Sequence, residues 1–469
     1  MSHAFWSSPS LPDRPALAAD ATYDVVVAGG GVSGLLVAVL LARAGRRVAV
    51  LEARRVGDGT TGHSTAKVSI LQGSRLATIM EHHPSDLARA YVDGNREGQA
   101  WLRRHLEENE VPHRAATAWT YATTDEGAVK VSAEADASRA AGLDVLRTAD
   151  IGLPFQVTDA IGLADQVLID PMDLVRSLLA ELEAHGGVVH EGTRVTGADA
   201  DGDWLGVTTD GGHHVRARHL VLATGCPVLD RGGWFGRLTA HRSYALAVEG
   251  VSPPVGMYLS VDPTTRSLRP AGADGEVLLV GGNNHVTGRG PDEAEQLEKL
   301  ASWTRDTFPG GRITHRWSAQ DWHGPSGLPY AGPLVPRDDR VHVMTGYAKW
   351  GFTNAAAGAL VLSKRILGGE LPPWEHAWAT WSGADLRGIP DVLKANAMVA
   401  AEMVAGHVTR GPLQRLTGSH DDPAPVCTHL GGRLRWNDAE QSWDCPLHGS
   451  RFAADGSVLD APACRALDL

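Results

Sequence analysis

Four side chains in the last fifth of this 469-residue chain have the spacing of metal ligands. Cys427-Thr428-His429 is followed, fifteen residues later, by Cys445-Pro446-Leu447-His448. Each short loop supplies one thiolate and one imidazole. That donor set suits a two-iron, two-sulfur cluster in which two thiolates hold one iron and two imidazoles the other. Such a centre carries one electron at a time. Zinc is the competing reading, because two cysteines and two histidines also make a structural zinc site. Zinc spacings, however, usually put both cysteines in one pair and both histidines in the other. A degenerate, empty site is the third reading.

A second group of residues has the pattern of a dinucleotide site. Tyr23 to Ala28 reads as a buried parallel strand, Leu35 to Ala44 as a helix that stops at Gly45, and Val48 to Leu51 as a second strand. Gly29-Gly30-Gly31-Val32-Ser33-Gly34 forms the first turn, and Glu52 ends the second strand. This is a GxGxxG turn in a complete βαβ unit, with an acid about twenty residues on. Gly29 allows the tight turn, Gly31 the approach of a pyrophosphate, and Gly34 the packing of helix on strand. The helix N-terminus with Ser33 faces the phosphates, and Glu52 accepts from the ribose hydroxyls. His219 to Gly225, ending in Thr224-Gly225, is similar to the strand that returns beneath FAD in flavoproteins. The strand Val341 to Gly346, with the helix opening at Gly351-Phe352-Thr353, is similar to the last FAD contact. A helix N-terminus there favours an anionic reduced flavin. No second βαβ fingerprint occurs, so a nicotinamide partner site is not expected.

The elements that must position these groups need several domains, as the length suggests. The composition is 43% hydrophobic and 21% charged, that of a globular protein. A net charge of −12 argues against a nucleic-acid partner. Only four cysteines, two of them in the ligand pattern, fit a reducing cytoplasm. Cys226 and Cys464 have no catalytic partner in the sequence and read as bystanders. Met1 to Ala21 lacks the apolar core of a signal peptide. The longest apolar run, Leu35 to Ala42, is too short to span a bilayer.

From Tyr23 to Leu367 the chain resembles the D-amino acid oxidase superfamily of flavoenzymes, which includes glycine and sarcosine oxidases. The segments that carry the resemblance are Gly59 to Lys67, Tyr244-Ala245-Leu246, Arg266 to Pro270, Trp317 to Trp322, Gly327 to Tyr330 and Lys349-Trp350-Gly351. The two Cys-and-His loops, with Gly431-Gly432 after the first and Gly449-Ser450 after the second, resemble those of Rieske proteins. The resemblance implies an α/β + β chain: a Rossmann-type FAD-binding domain interleaved with an antiparallel-sheet substrate domain, then a small, shortened all-β Rieske domain. The expected boundaries are 22–80, 165–230 and 325–370 for FAD binding, 81–164 and 231–324 for the substrate domain, 371–419 for a helical linker and 420–469 for the Rieske domain. Pro390 to Ala405 reads as a helix where Rieske proteins usually have base strands.

The resemblance also implies roles. The loop Gly57 to Lys67 lies over the flavin ring, with Thr61, His63 and Thr65 as cofactor contacts. His63 resembles a histidine that bonds covalently to the flavin in dimethylglycine-type dehydrogenases; packing beside the ring or bonding a phosphate is the alternative. Val195 joins the FAD contacts. Lys67 is placed near the flavin, to tune it, to activate oxygen or simply to make a phosphate or surface contact. Arg269 is the best match to the arginine that binds the substrate carboxylate. Arg266, Arg242 and Tyr244 are weaker candidates, and Lys349 is the next choice. Trp317, Trp322 and Tyr330 are pocket or core residues. Respiratory Rieske proteins have a disulfide and a tyrosine where this chain has Gly432, Leu447 and Phe452. With fewer donors to the sulfurs, the potential is expected in the lower part of the Rieske range.

The expected activity is oxidation of an amine-like small molecule by hydride transfer to FAD. Electrons then leave through the cluster to an acceptor, which is oxygen, a quinone or a redox protein. Two alternatives stand beside it: an oxygen-using tailoring oxidase for a cyclic amine or secondary metabolite, and an electron-transfer module that serves a partner enzyme.

Overall fold

The computed structural model describes residues 4–6, 11–290, 292–382 and 424–469. The expected helix at 390–405, and most of the expected linker, lie outside these residues. The described part of that linker holds a short 3-10 turn, Glu375–Trp378.

The first sheet grows around Ala21–Ala28. Its Val25, Val26 and Val27 are wholly buried, as befits a parallel strand covered on both faces. The order is Tyr330–Pro333, Val341–Thr345, His214–Leu222, Ala21–Ala28, Val48–Leu51, Val188–His190. All pairs are parallel except the edge strand Tyr330–Pro333. A hairpin, Val195–Asp201 with Trp204–Thr209, continues from His214–Leu222. The helix Val32–Arg43 is buried along nearly its whole length and packs against Gly351–Leu367. Both helices start at the carboxyl end of the sheet, where open α/β folds bind ligands.

The second sheet runs Arg312–His323, Thr239–Glu249, Val277–Val286, Arg266–Ala271, Met257–Ser260, His113–Ala122, Asp159–Ile169, Lys67–Val68. It is antiparallel along this path except where Met257–Ser260 runs parallel to His113–Ala122. Two strands depart from the expected boundaries. Lys67–Val68 belongs to this sheet although it falls in the first FAD-binding segment. Asp159–Ile169 crosses the boundary at 165, because it pairs with His113–Ala122 over its full length.

The third sheet is a four-stranded antiparallel meander: Arg435–Asn437, Ser442–Asp444, Arg451–Ala453, Val458–Asp460. Its core is small and includes Cys427, Leu434, Cys445, Leu447, Phe452 and Val458. This domain leans on the other two. Arg289 donates to the carbonyls of Pro446 and Leu447. Gln320 donates to the carbonyl of Gly449 at 2.8 Å. Arg242 and Asp444, both about 1% exposed, face each other at 3.7 Å. No described helix is long and apolar enough to cross a membrane.

Candidate FAD and cluster sites

The glycine turn folds as its residue types require. Gly29 has φ +108°, and a Cβ there would stand 2.6 Å from the carbonyl oxygen of Ala223 on the neighbouring strand. Gly34 meets the turn itself: its Cβ would lie 2.0 Å from the Gly29 oxygen. Neither position tolerates a side chain. Gly31 caps the helix with no side-chain bond, so the first-turn N–H groups remain largely available to an anion. Val32 N–H alone is spoken for, donating to Thr61 Oγ1 at 3.0 Å.

A cavity opens above this turn. Gly29, Gly31, Ser33, Glu52, Thr61, Val195, Thr224, Gly225, Gly346, Lys349 and Gly351 all line it. These are eleven of the sequence candidates, drawn into one concavity from several separate segments. A second helix N-terminus, Gly351 with Trp350 as its cap and again no side-chain bond, faces it too. Two helix ends aimed at one long cavity suit a ligand with a phosphate at one end and an electron-rich ring at the other. Burial raises the Glu52 carboxyl, and bonds from the N–H groups of Gly30 and Arg54 partly offset this. A carboxylate has lone pairs left for ribose hydroxyls. The residues present therefore fit FAD.

Other candidates lie outside the cavity. Arg269 is 3% exposed, and its guanidinium is used by carbonyls: Thr65 at 2.6 Å, Ala66 at 2.7 Å, Ile169 at 3.1 Å and Pro270 at 2.9 Å. Through Nε and Nη1 it fixes the loop at Thr65 and Ala66 to the second sheet, and it does not line the cavity. Thr65 takes part through its carbonyl alone in that clamp. Tyr244 is 1% exposed and bonded to His285 Nε2 at 2.9 Å. Thr353 Oγ1 accepts from Gln72 inside the core at 3.1 Å. Arg266 bonds Thr265 O and Asn283 Oδ1. Trp317 and Tyr330 are core residues, and Trp322 lines the cavity.

Lys67 points across the second sheet, to Ser267 Oγ and the Tyr258 carbonyl. Burial, with Arg269 and Lys349 nearby, lowers its pKa to about 7. Its folded pKa thus lies below its unfolded value, so the unfolded chain holds more protons between pH 7 and 10 and stability rises with pH there. Lys67→Met removes that slope. The variant's stability advantage should shrink by on the order of 2 kcal/mol from pH 7 to 9. Denaturant melts of both proteins at the two pH values check this; equal slopes refute it.

His63 lines an adjoining cavity with Trp6, Met172, Arg451 and Asp460. Its Nδ1 lies 3.0 Å from the Gly59 carbonyl, and its own carbonyl accepts from Trp317 Nε1 at 2.9 Å. The ring thus lines the adjoining cavity and not the FAD cavity. FAD should come away completely in the supernatant of acid-precipitated protein; yellow colour that stays with the pellet sinks this expectation.

Sequence reasoning missed a cluster on the cavity's other wall. Asp321 lines the cavity and meets His323 Nε2 at 2.5 Å. His323 stacks on His241 with ring centroids 4.1 Å apart. Lys349 and these histidines keep the buried Asp321 carboxyl below its usual range despite desolvation. Lys349 itself is lowered by burial, with Asp321 acting against that. Ala348 and Lys349 have φ of 45° and 77°. Consecutive left-handed residues without glycine carry no sequence signature, and such strain collects at functional sites.

The second centre brings Cys427 and Cys445 into hydrogen-bonding contact. Cys427 is lowered to about 7, chiefly by the Cys445 thiol, with Ser450 assisting; Cys445 is pushed up. The rings of His429 and His448 lie 5.3 Å apart. His429 Nδ1 and both nitrogens of His448 are buried without a hydrogen-bond partner, while His429 Nε2 meets Asp230 Oδ1 at 2.7 Å. Orphaned ring nitrogens beside paired thiols are what a missing metal group leaves, and the outer bond to Asp230 orients the ligand ring. Zinc needs all four donors around one point. A two-iron cluster asks for only two donors per iron, one pair of thiolates and one pair of imidazoles. Leu447 fills the space beside Gly432, where a Cβ would be 2.7 Å from it. All four cysteines are free.

Comparison with known proteins agrees with this geometry. The FAD dependent oxidoreductase (DAO) model matches residues 24–365, and the Rieske [2Fe-2S] domain model matches 423–469. YhfW of Bacillus subtilis, described as a Rieske 2Fe-2S iron-sulfur protein, is 30% identical over 99% of this chain and 96% of its own length. Glycine oxidase of Pseudomonas putida is 26% identical over 74% of this chain and 95% of its own. Among solved structures, glycine oxidase from Geobacillus kaustophilus superposes with a TM-score of 0.65 at 18% identity. It covers 77% of this chain and 100% of that one. This chain belongs to the DAO family of FAD dependent oxidoreductases and carries a C-terminal Rieske [2Fe-2S] domain, with FAD and the Rieske cluster as its cofactors.

Proposed function

We propose that the protein oxidises a C–N bond of an amine or amino-acid-like small molecule. The observation that carries this reading is Lys349, a cation set by a strained turn into the FAD cavity, immediately before the helix N-terminus at Gly351. FAD supplies hydride acceptance at N5, and the Rieske cluster supplies one-electron carriage onward to oxygen, a quinone or a redox protein. Lys349 binds the substrate's carboxylate or other electron-rich end. Asp321, kept ionised beside His323 and Lys349, accepts a hydrogen bond from the substrate amine and orients it. Trp322 and Phe352 line the cavity with apolar surface and exclude water. The relatives named as glycine oxidases act on an amino acid, which supports this substrate class.

Anaerobic mixing with a panel of amines and amino acids tests the reading. Flavin bleaching, followed by the EPR signal of the reduced cluster, is expected with at least one compound. Bleaching by a reduced partner protein, and by no amine, rejects it in favour of an electron-transfer module.

A further inference from the structure

The FAD cavity has a wall that comes from the Rieske domain. Leu459, Asp460 and Ala461, at the end of that domain's last strand, line it beside Glu52 and Arg194. Glu52 marks the ribose end of the βαβ site. Arg194 ties the two domains at this point, donating from Nη2 to the Val458 carbonyl at 2.9 Å. The wall is also anchored from behind. Asp460 Oδ2 accepts from Arg451 Nη1 at 3.0 Å, and Arg451 Nε donates to Asp444 Oδ1 at 3.1 Å. Asp444 faces the wholly buried Arg242, whose Nη1 holds Ser318 and whose Nη2 holds Gln320. Gln320 in turn grips the carbonyl of Gly449, the residue after the ligand His448. One chain of polar contacts, buried at Arg242 and partly buried at Asp460, thus runs from the cluster loop to the edge of the FAD cavity.

We propose that the Rieske domain closes the adenosine end of the FAD site, so that cluster and FAD stabilise one another's binding. The domain is small, and its core includes both cluster cysteines. So small a core relies on its metal for stability. Loss of the cluster therefore loosens the segment 459–461, and FAD loses a wall. Linkage makes the effect reciprocal: FAD, by holding that segment, holds the cluster domain in its folded form. The proposal does not depend on which substrate is oxidised.

The test uses the full-length protein. FAD affinity is measured by titrating flavin-free protein with and without its cluster, the latter prepared by chelation. FAD Kd should rise at least about tenfold without the cluster, within the usual range of coupling between sites. ADP, which lacks the flavin ring, should lose affinity in parallel. In Arg242→Met, which touches neither cofactor site, FAD should bind more weakly while the cluster's EPR signal persists. Should that variant fail to fold, the wild-type comparison still decides. FAD affinity that is the same with and without the cluster overturns the proposal. So does an Arg242→Met protein with wild-type FAD affinity.

Discussion

Lys349→Met should lower kcat/KM for the best substrate of the panel by roughly tenfold to a hundredfold, since one hydrogen bond to a charged group contributes about 1.5–3 kcal/mol. The loss should fall mainly on KM, because a carboxylate is bound equally in ground and transition states. Lys349→Arg should recover part of it, because charge survives though the donor geometry changes. FAD content should stay unchanged, since the glycine turn and Glu52 are untouched. The pH dependence has a definite sign. Lys349 binds an anion only when protonated, and burial sets its pKa below the usual lysine value. Substrate binding should therefore weaken as pH rises, and do so at lower pH than a free lysine would allow. In Asp321→Asn, which removes the charge opposing that depression, binding should fail at still lower pH. A KM for the wild type that is flat through the alkaline range, or a Met variant with unchanged kcat/KM, rejects Lys349 as the anion anchor.

The parts of this molecule that were legible in the sequence are those whose chemistry is local. Gly29, Gly31 and Gly34 work within one turn, and each cluster loop carries its two ligands within four residues. Their spacing along the chain is their spacing in space. Arg269 was placed from the strand it occupies, and that strand could not show that its Nη1 turns to the carbonyls of Thr65, Ala66 and Ile169, away from the cavity lining. Tyr244 sits in the same sheet and is drawn to His285 across the strand pair. Arg242 shows the same limit at greater range, since its buried partner Asp444 lies in another domain. The Asp321–His323–His241 group joins two strands, and neither strand alone suggests it. The shortened Rieske domain is understandable from its contacts. Arg289, Gln320 and Arg242, on or just beyond strands of the second sheet, support the cluster loops and the buried charge beside them.

Cys445→Ser should abolish the cluster. The serine oxygen is a harder and far more basic ligand than a thiolate, and one iron is then left with a single sulfur donor from the protein. The reduced EPR signal and acid-labile sulfide should both disappear. Cys445 is 1% exposed in the small core of its domain, so the change also removes packing there, and the third sheet should become the first part of the chain open to protease. The FAD cavity retains its glycine turn and both helix ends, so at saturating FAD the flavin should still bleach with substrate at close to the wild-type rate. What should fail is delivery of electrons to an external one-electron acceptor, by at least tenfold if the cluster is the main exit, about 1.4 kcal/mol in barrier terms. Separating the two half-reactions in one variant distinguishes an exit path from a merely structural domain. Unchanged acceptor reduction in a protein proven free of iron removes the cluster from the electron path. Zinc bound in the wild type at one equivalent, with no iron, would reverse the reading of the four ligands themselves.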